Sequence, residues 1–130
     1  MPQDRESGAA GAKFGRETAK IIAQKLGATK EGRSTSNEYL LKGKHIVIKC
    51  AHQKNDSVGI SYHMLKKLDS IYGAFETDSG TYKIYELSPP QFAKNEQPTK
   101  SKGPSKGKVG VVKKAIFYEK GAFLNELNLK

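Results

Sequence analysis

The stretch that decides the fold is His45-Ile46-Val47-Ile48-Lys49-Cys50-Ala51. It has three β-branched residues in succession and lacks strong helix formers, which favours a buried strand. The two-residue period of a strand puts Ile46 and Ile48 on one face and Val47 and Lys49 on the other. An unpaired ammonium is costly to bury, so we expect the Lys49 ammonium to have a partner or to lie in a water-filled cleft beside this strand.

Around this strand, helix and strand patterns alternate. A first helix of about four turns carries one apolar stripe and ends at Gly27. Residues 37–41 and the central strand form a predicted antiparallel hairpin, with a turn at 42–44. The other predicted elements are a helix at 61–68, strands at 71–76, 81–87 and 109–119, and a helix at 122–127. This order predicts an α/β fold, or the related α+β class, with a mixed sheet of four or five strands flanked by helices.

The chain of 130 residues has the length of one domain. Residues 1–12 are rich in Gly, Ala and polar groups without periodicity, and we expect a flexible tail there. Residues 13–130 form the predicted single domain. Within it, about 95–107 combine Pro, Gly and Lys without apolar side chains, which predicts a flexible basic loop.

Positive charge is in excess, with 23 Lys plus Arg against 13 Asp plus Glu and a formal charge of +10. Nucleic acid is the first partner that this predicts, because Lys and Arg neutralise phosphates and release counterions. An anionic membrane surface is the second. Residues 94–130 hold nine Lys and three Glu, a balance of +6. The predicted phosphate contacts in this part are Lys100, Lys102, Lys106, Lys108, Lys113 and Lys114; a merely solubilising loop is the alternative.

Several classes of protein do not fit the sequence. No stretch approaches the roughly 20 apolar residues that a membrane span needs, and no apolar segment follows the first residues, so we expect neither a span nor a secretory signal. Cys50 is the single cysteine, so the chain forms no internal disulfide. A reducing, intracellular and cytoplasmic setting is the expectation. On its apolar strand face Cys50 is expected to be structural rather than nucleophilic.

The order of acidic and basic residues resembles that of a known group. An acidic residue on the first helix, in Phe14-Gly15-Arg16-Glu17, precedes a short acidic strand, Ser36-Asn37-Glu38-Tyr39, and then the strand with Lys49. Over roughly residues 13–92 this is similar to the restriction-endonuclease-like nuclease superfamily. In that family one acid precedes an acidic-x-Lys triplet, the acids bind Mg²⁺ or a similar ion, and water hydrolyses a DNA phosphodiester.

The resemblance implies a role for three residues. Glu38 matches the first acid, Lys49 the lysine, and Glu17 the helix acid that some members use. Glu38 and Glu17 would then bind Mg²⁺, Lys49 would orient water or stabilise negative charge at the phosphate, and DNA would be the partner. Such enzymes commonly act as symmetric dimers, so a homodimer is expected.

The sequence departs from the family two positions before Lys49, where Val47 replaces the usual acid. Either another carboxylate substitutes, with Glu17 and Glu76 as candidates, or the domain binds DNA without cutting it. Two rivals to an endonuclease therefore stay open: a non-catalytic DNA-binding module and a basic RNA-binding protein.

Each of these residues also has a purely structural interpretation. Lys49 could lay its stem along apolar surface with its ammonium in water, while Glu38 and Glu17 could pair with nearby lysines on the surface. Further predicted nucleic-acid contacts are Arg33, in the loop before Glu38, and His52 and Gln53, at the end of the central strand. His52 has a plain loop residue as its alternative.

Overall fold

A computed structural model describes residues 17–30, 37–51, 57–98 and 109–128. The helices are α1 (17–26), α2 (Tyr62–Leu65), α3 (Pro89–Asn95) and α4 (Lys114–Lys120). The strands are β1 (Thr29–Lys30), β2 (Glu38–Leu41), β3 (Lys44–Ala51), β4 (Ser57–Ser61), β5 (Ser70–Glu76), β6 (Tyr82–Leu87), β7 (Gln97–Pro98), β8 (Val109–Lys113) and β9 (Ala122–Leu127).

The predicted central strand is β3, and it lies inside a six-stranded sheet of order β1-β2-β3-β5-β6-β9. It pairs antiparallel with β2 and parallel with β5, so the sheet is mixed. The prediction of an α/β fold with a mixed sheet and flanking helices is confirmed. The sheet is larger than the four or five strands predicted, and a second sheet of order β4-β8-β7 accompanies it.

The two faces of the large sheet bury different partners. On the face of Ile46 and Ile48, α1 packs through its fully buried Ile22. On the face of Val47, the second sheet, α3 and α4 supply the covering residues, which include Val112 and Phe117. Apolar burial on both faces explains the nearly continuous apolar run of β3, as expected where a parallel neighbour and two covering layers exclude water.

The hairpin between β2 and β3 has a two-residue turn, Lys42-Gly43, with positive φ angles of 53° and 82°. This is the geometry of a type I′ turn, whose twist matches that of the strands it joins. The turn fixes the register, so that Glu38 lies opposite Val47. The turn and hairpin predicted from the sequence are confirmed.

The prediction was wrong along three other segments. The helix predicted at 61–68 is a single turn, and strand β4 precedes it. The strand predicted at 109–119 ends at Lys113, where α4 begins, and the helix predicted at 122–127 is strand β9. Local patterns misled here because β4 and β8 pair with each other, and β9 pairs with β6; tertiary pairing overrides weak local preference.

One helix was not predicted at all. Ser88-Pro89-Pro90 follows strand β6 and starts α3. The Ser88 hydroxyl accepts from the Gln91 amide, and the Gln91 side chain accepts from the Ser88 amide, a capping box with Pro at the first helical position.

Two sequence-based predictions concern residues outside the described ranges. These are the flexible tail at 1–12 and, for residues 99–107, the basic loop. Among the described residues, no helix is long and apolar enough to cross a membrane.

The turn gives a test of the register. Gly43→Ala places a Cβ at a left-handed φ, and we expect it to destabilise the fold by about 1–2 kcal/mol. Lys42→Asn puts a residue that tolerates positive φ at the first turn position, and we expect it to stabilise. Urea unfolding of both variants measures this, and equal stability of the two would contradict a type I′ turn.

Candidate functional site

One face of the large sheet carries the candidate acid and lysine together with two of their neighbours: Glu38, His45, Val47 and Lys49. Glu38 on β2 lies directly across from Val47 on β3, and side chains of opposed residues lie on the same side. Strand alternation places His45 and Lys49 two positions to either side of Val47. Both are therefore diagonal neighbours of Glu38, within reach of a long side chain.

The Glu38 side chain takes the diagonal toward His45. Its Oε1 lies 2.9 Å from His45 Nε2, and the residue is 8% exposed. The His45 backbone is held in turn by Asp69, whose Oδ2 accepts from the His45 amide at 2.8 Å and whose amide donates to the His45 carbonyl at 2.7 Å. The contact with His45 therefore holds the Glu38 carboxylate on the side of the strand pair away from Lys49.

Lys30 adds a cation next to Glu38. Its ammonium lies 4.9 Å from the centre of the Tyr39 ring and 3.4 Å from the Glu38 carbonyl oxygen. Partial burial lowers the pKa of Lys30, and the nearby Glu38 charge opposes that shift. The Lys30 ammonium thus contacts the main chain of Glu38, and its charge interacts with the Glu38 carboxylate.

Lys49 is partly buried in apolar surroundings. Its partner on β5 is Gly73, and a Cβ there would come within 2.8–2.9 Å of the Phe75 and Phe117 rings. Burial lowers the pKa of Lys49, and Cys50 opposes the shift. Lys49 makes no hydrogen bond or ion pair with any residue in the described ranges. The strand therefore holds a lysine whose charged form is disfavoured.

Cys50 faces the other side, against the core beneath α1. Burial raises the pKa of its thiol to about 12, with Lys49 opposing. At neutral pH the thiol is protonated, which fits a structural cysteine and gives little nucleophilic character.

The acids proposed to replace the missing carboxylate lie with the opposite face. Helix α1, which carries the exposed Glu17, packs on the Ile46 side. Strand alternation in β5 puts Glu76 on that side too, with Tyr72 and Ala74. Val47 itself is fully buried in the apolar core. The sheet thus separates both candidate substitutes from Glu38 and Lys49.

The described residues do not assemble a site for Mg²⁺. No group of three or more His, Cys, Asp or Glu side chains within them is placed to hold an ion. On the face of Lys49, Glu38 offers its carboxylate to His45, and the next position across the strands is an apolar valine. This donor set does not fit the cation that the nuclease resemblance implies.

The predicted phosphate-binding residues are described in part. Lys113 ends β8 and is exposed; Lys114 begins α4, with its ammonium 5.9 Å from the centre of the Tyr118 ring. The others lie outside the described residues: Arg33, His52, Gln53, Lys100, Lys102, Lys106 and Lys108.

A hollow of about 390 Å³ opens elsewhere, beside the starts of β3 and β5. Lys44 and Lys120 contribute ammoniums, and Asp69 and Glu86 contribute carboxylates; Glu86 accepts a hydrogen bond from Ser70. Glu38 and Lys49 do not line it. This hollow is therefore not the water-filled cleft that the sequence predicts as one surrounding for Lys49.

The geometry defines a mixed α/β domain with an acidic residue and a lysine on one face of adjacent strands. Among solved structures, the chain is similar to Hjc, a Holliday junction resolvase of the archaeal hyperthermophile Archaeoglobus fulgidus. The TM-score is 0.46 and the identity 9%, over 88% of this chain and 92% of that chain. No family model and no curated protein matches the chain.

His45 is the residue of this site that sequence reasoning missed. The signal was available: a two-residue turn at 42–43 fixes the hairpin register and makes His45 a diagonal neighbour of Glu38.

The contact between Glu38 and His45 predicts a stability effect. His45→Ala takes away a hydrogen-bonding partner of a buried carboxylate, and we expect a loss of about 1–3 kcal/mol in the free energy of unfolding. His63→Ala, at an exposed position of α2, is the matched control and should change stability by less than about 0.5 kcal/mol. Equal effects of the two variants in urea unfolding would contradict a structural role for the pair.

Burial of Lys49 predicts a pH dependence. Because its folded pKa is lowered from 10.5, Lys49 binds more protons in the unfolded chain between the folded and unfolded pKa values, and the contribution of Lys49 to the stability of the protein rises with pH in that window. Lys49→Met removes the contribution of Lys49 to the pH dependence, whereas Cys50 is present in both proteins. We expect the stability advantage of Lys49→Met over the parent to shrink as the pH rises toward 10.5. Lys66→Met, at an exposed lysine, is the matched control, and an advantage independent of pH would contradict the burial.

Proposed function

We propose that the chain is a DNA-binding domain that holds the phosphate backbone without cutting it. The observation that carries the proposal is uncompensated positive charge. The formal charge is +10, and apart from Lys30 no lysine of the described ranges forms an ion pair. Ammoniums without carboxylate partners are available to phosphates, whose neutralisation supplies most sequence-independent affinity.

The charge is concentrated toward the C-terminal part. Residues 99–108 contain four lysines and no acid, and Lys113 and Lys114 follow directly. Lys113 is exposed at the end of β8. A basic segment next to a rigid strand-to-helix junction suits contacts that follow a backbone rather than read bases.

The face of Glu38 and Lys49 supports the non-catalytic form of the proposal. A hydrolytic centre of the nuclease type needs at least two acids near the lysine, but Val47 is fully buried and Glu38 is bonded to His45. Burial lowers the pKa of Lys49, so its charge is less available to a phosphate than that of an exposed lysine.

A second candidate, a metal-dependent endonuclease, rests on one observation. Glu38 and Lys49 share a face on adjacent strands, as the resemblance to restriction-endonuclease-like enzymes implies. The remaining carboxylate would have to come from a part of the chain outside the described ranges or from a second copy.

Binding is tested with labelled duplex DNA at several salt concentrations. We expect affinity to fall steeply with salt, with a slope of about −0.9 per phosphate contact in a plot of log K against log salt. Lys113→Gln with Lys114→Gln should weaken binding and reduce that slope by about 2. The matched control of equal charge is Lys20→Gln with Lys25→Gln on α1. Salt-independent binding, or equal loss in both pairs, would contradict the proposed surface, and a strong preference for duplex RNA would favour the RNA-binding alternative.

Cleavage is tested by incubating supercoiled plasmid with the protein and Mg²⁺ or Mn²⁺. We expect retention without nicking. Nicking that disappears in both Lys49→Met and Glu38→Gln would replace the non-catalytic proposal by the endonuclease. Because these variants keep side-chain size, circular dichroism should show that they remain folded.

A further inference from the structure

Three aromatic rings form a cluster at one edge of the large sheet. Tyr85 of β6 lies between two outer rings, with its ring centre 4.6 Å from that of Tyr118 on α4 and 5.3 Å from that of Phe123 on β9. The first pair is inclined by 32° and the second by 63°. We call these three residues the aromatic cluster.

The outer rings of the cluster are open to solvent. Phe123 is 54% exposed and Tyr118 41% exposed, although apolar side chains of this size are usually covered. The cluster packs on the hydrophobic core. Phe75, which is buried there, packs edge-on against Tyr118 with ring centres 5.8 Å apart and the planes at 88°. The cluster is therefore an aromatic surface that is presented to solvent and packed from below by a buried ring.

A basic side chain borders the aromatic cluster. The Lys114 ammonium lies 5.9 Å from the Tyr118 ring centre, and Lys113 is exposed one residue earlier. A cation beside an exposed ring can hold a phosphate while a base stacks on the ring.

We propose that the aromatic cluster binds unstacked nucleobases, and that the domain prefers single-stranded segments over uninterrupted duplex DNA. The inference rests on the proposed DNA binding and names the form of the ligand. Bases within a duplex are stacked on each other and are not available to protein rings, whereas bases of single strands are. Lys113 and Lys114 would hold the flanking phosphates.

Charge argues for nucleic acid as the occupant of this surface. β9 is an edge strand, and a second copy could in principle pair with it and cover Phe123. That association would bring together two chains of charge +10, which repel each other, whereas a polyanion is attracted. Pairing through β9 is therefore an outcome of the test rather than the proposal.

The test compares a single-stranded thymidine oligonucleotide with a duplex of the same length by fluorescence anisotropy. Tyr118→Leu and Phe123→Leu remove the ring but keep apolar bulk, and we expect each to weaken single-strand binding about five- to hundredfold with little change for duplex. Tyr118→Phe keeps the ring and should retain binding. Ile21→Ala, at an apolar residue of similar exposure on α1, is the matched control.

Intrinsic fluorescence gives a second readout. The chain has no tryptophan and six tyrosines, so quenching on addition of the oligonucleotide reports on tyrosine rings. We expect part of the quenching to disappear in Tyr118→Phe while affinity is kept, which a loss of folding would not produce.

The outcomes separate this inference from the proposed function. Duplex binding with single-strand binding unchanged in both leucine variants would overturn the inference and leave DNA binding intact. Absence of salt-sensitive binding to any DNA would overturn both. A mass that changes from dimer to monomer in Phe123→Leu, with DNA binding unchanged, would assign the surface to a second copy and overturn the inference.

Discussion

The pairing of β3 with a strand on each side is the constraint on which the rest of the structure depends. Hydrogen bonds to β2 and β5 use both edges of β3, and apolar layers cover both of its faces. The apolar residues of this strand are consequently divided between two cores, with Val47 and Ala51 in one and Ile46 and Ile48 in the other. A lysine in the strand must be accommodated, and Lys49 lies beside Gly73, over which the Phe75 and Phe117 rings pack.

The same constraint explains why a nuclease-like order of residues does not make a nuclease-like centre among the described residues. The register sets Glu38 against Val47, where the family pattern has a second acid. Because this position is Val47, it is fully buried in the apolar core, and the Glu38 carboxylate contacts His45. Uncompensated lysines and an exposed aromatic cluster are the features left for recognition, and together they suit a ligand of phosphates and unstacked bases.

Prediction succeeded where the signal was local and strong. The run at 45–51, the turn at 42–43 and the strands predicted at 71–76 and 81–87 have patterns that determine their structure within a few residues. It failed for 114–127, because a short apolar segment fits helix or strand equally well. There the identity of the elements depends on β6, which lies some forty residues earlier and pairs with β9.

The sequence by itself determined the central hairpin and the face on which Lys49 lies, because strand period and turn length are properties of neighbouring residues. It also determined the positive charge. The tertiary structure alone decided that Glu38 turns toward His45, that α1 with Glu17 packs on the opposite face, and that Tyr85, Tyr118 and Phe123 meet at one edge. These depend on contacts between residues far apart in sequence, which no local pattern encodes.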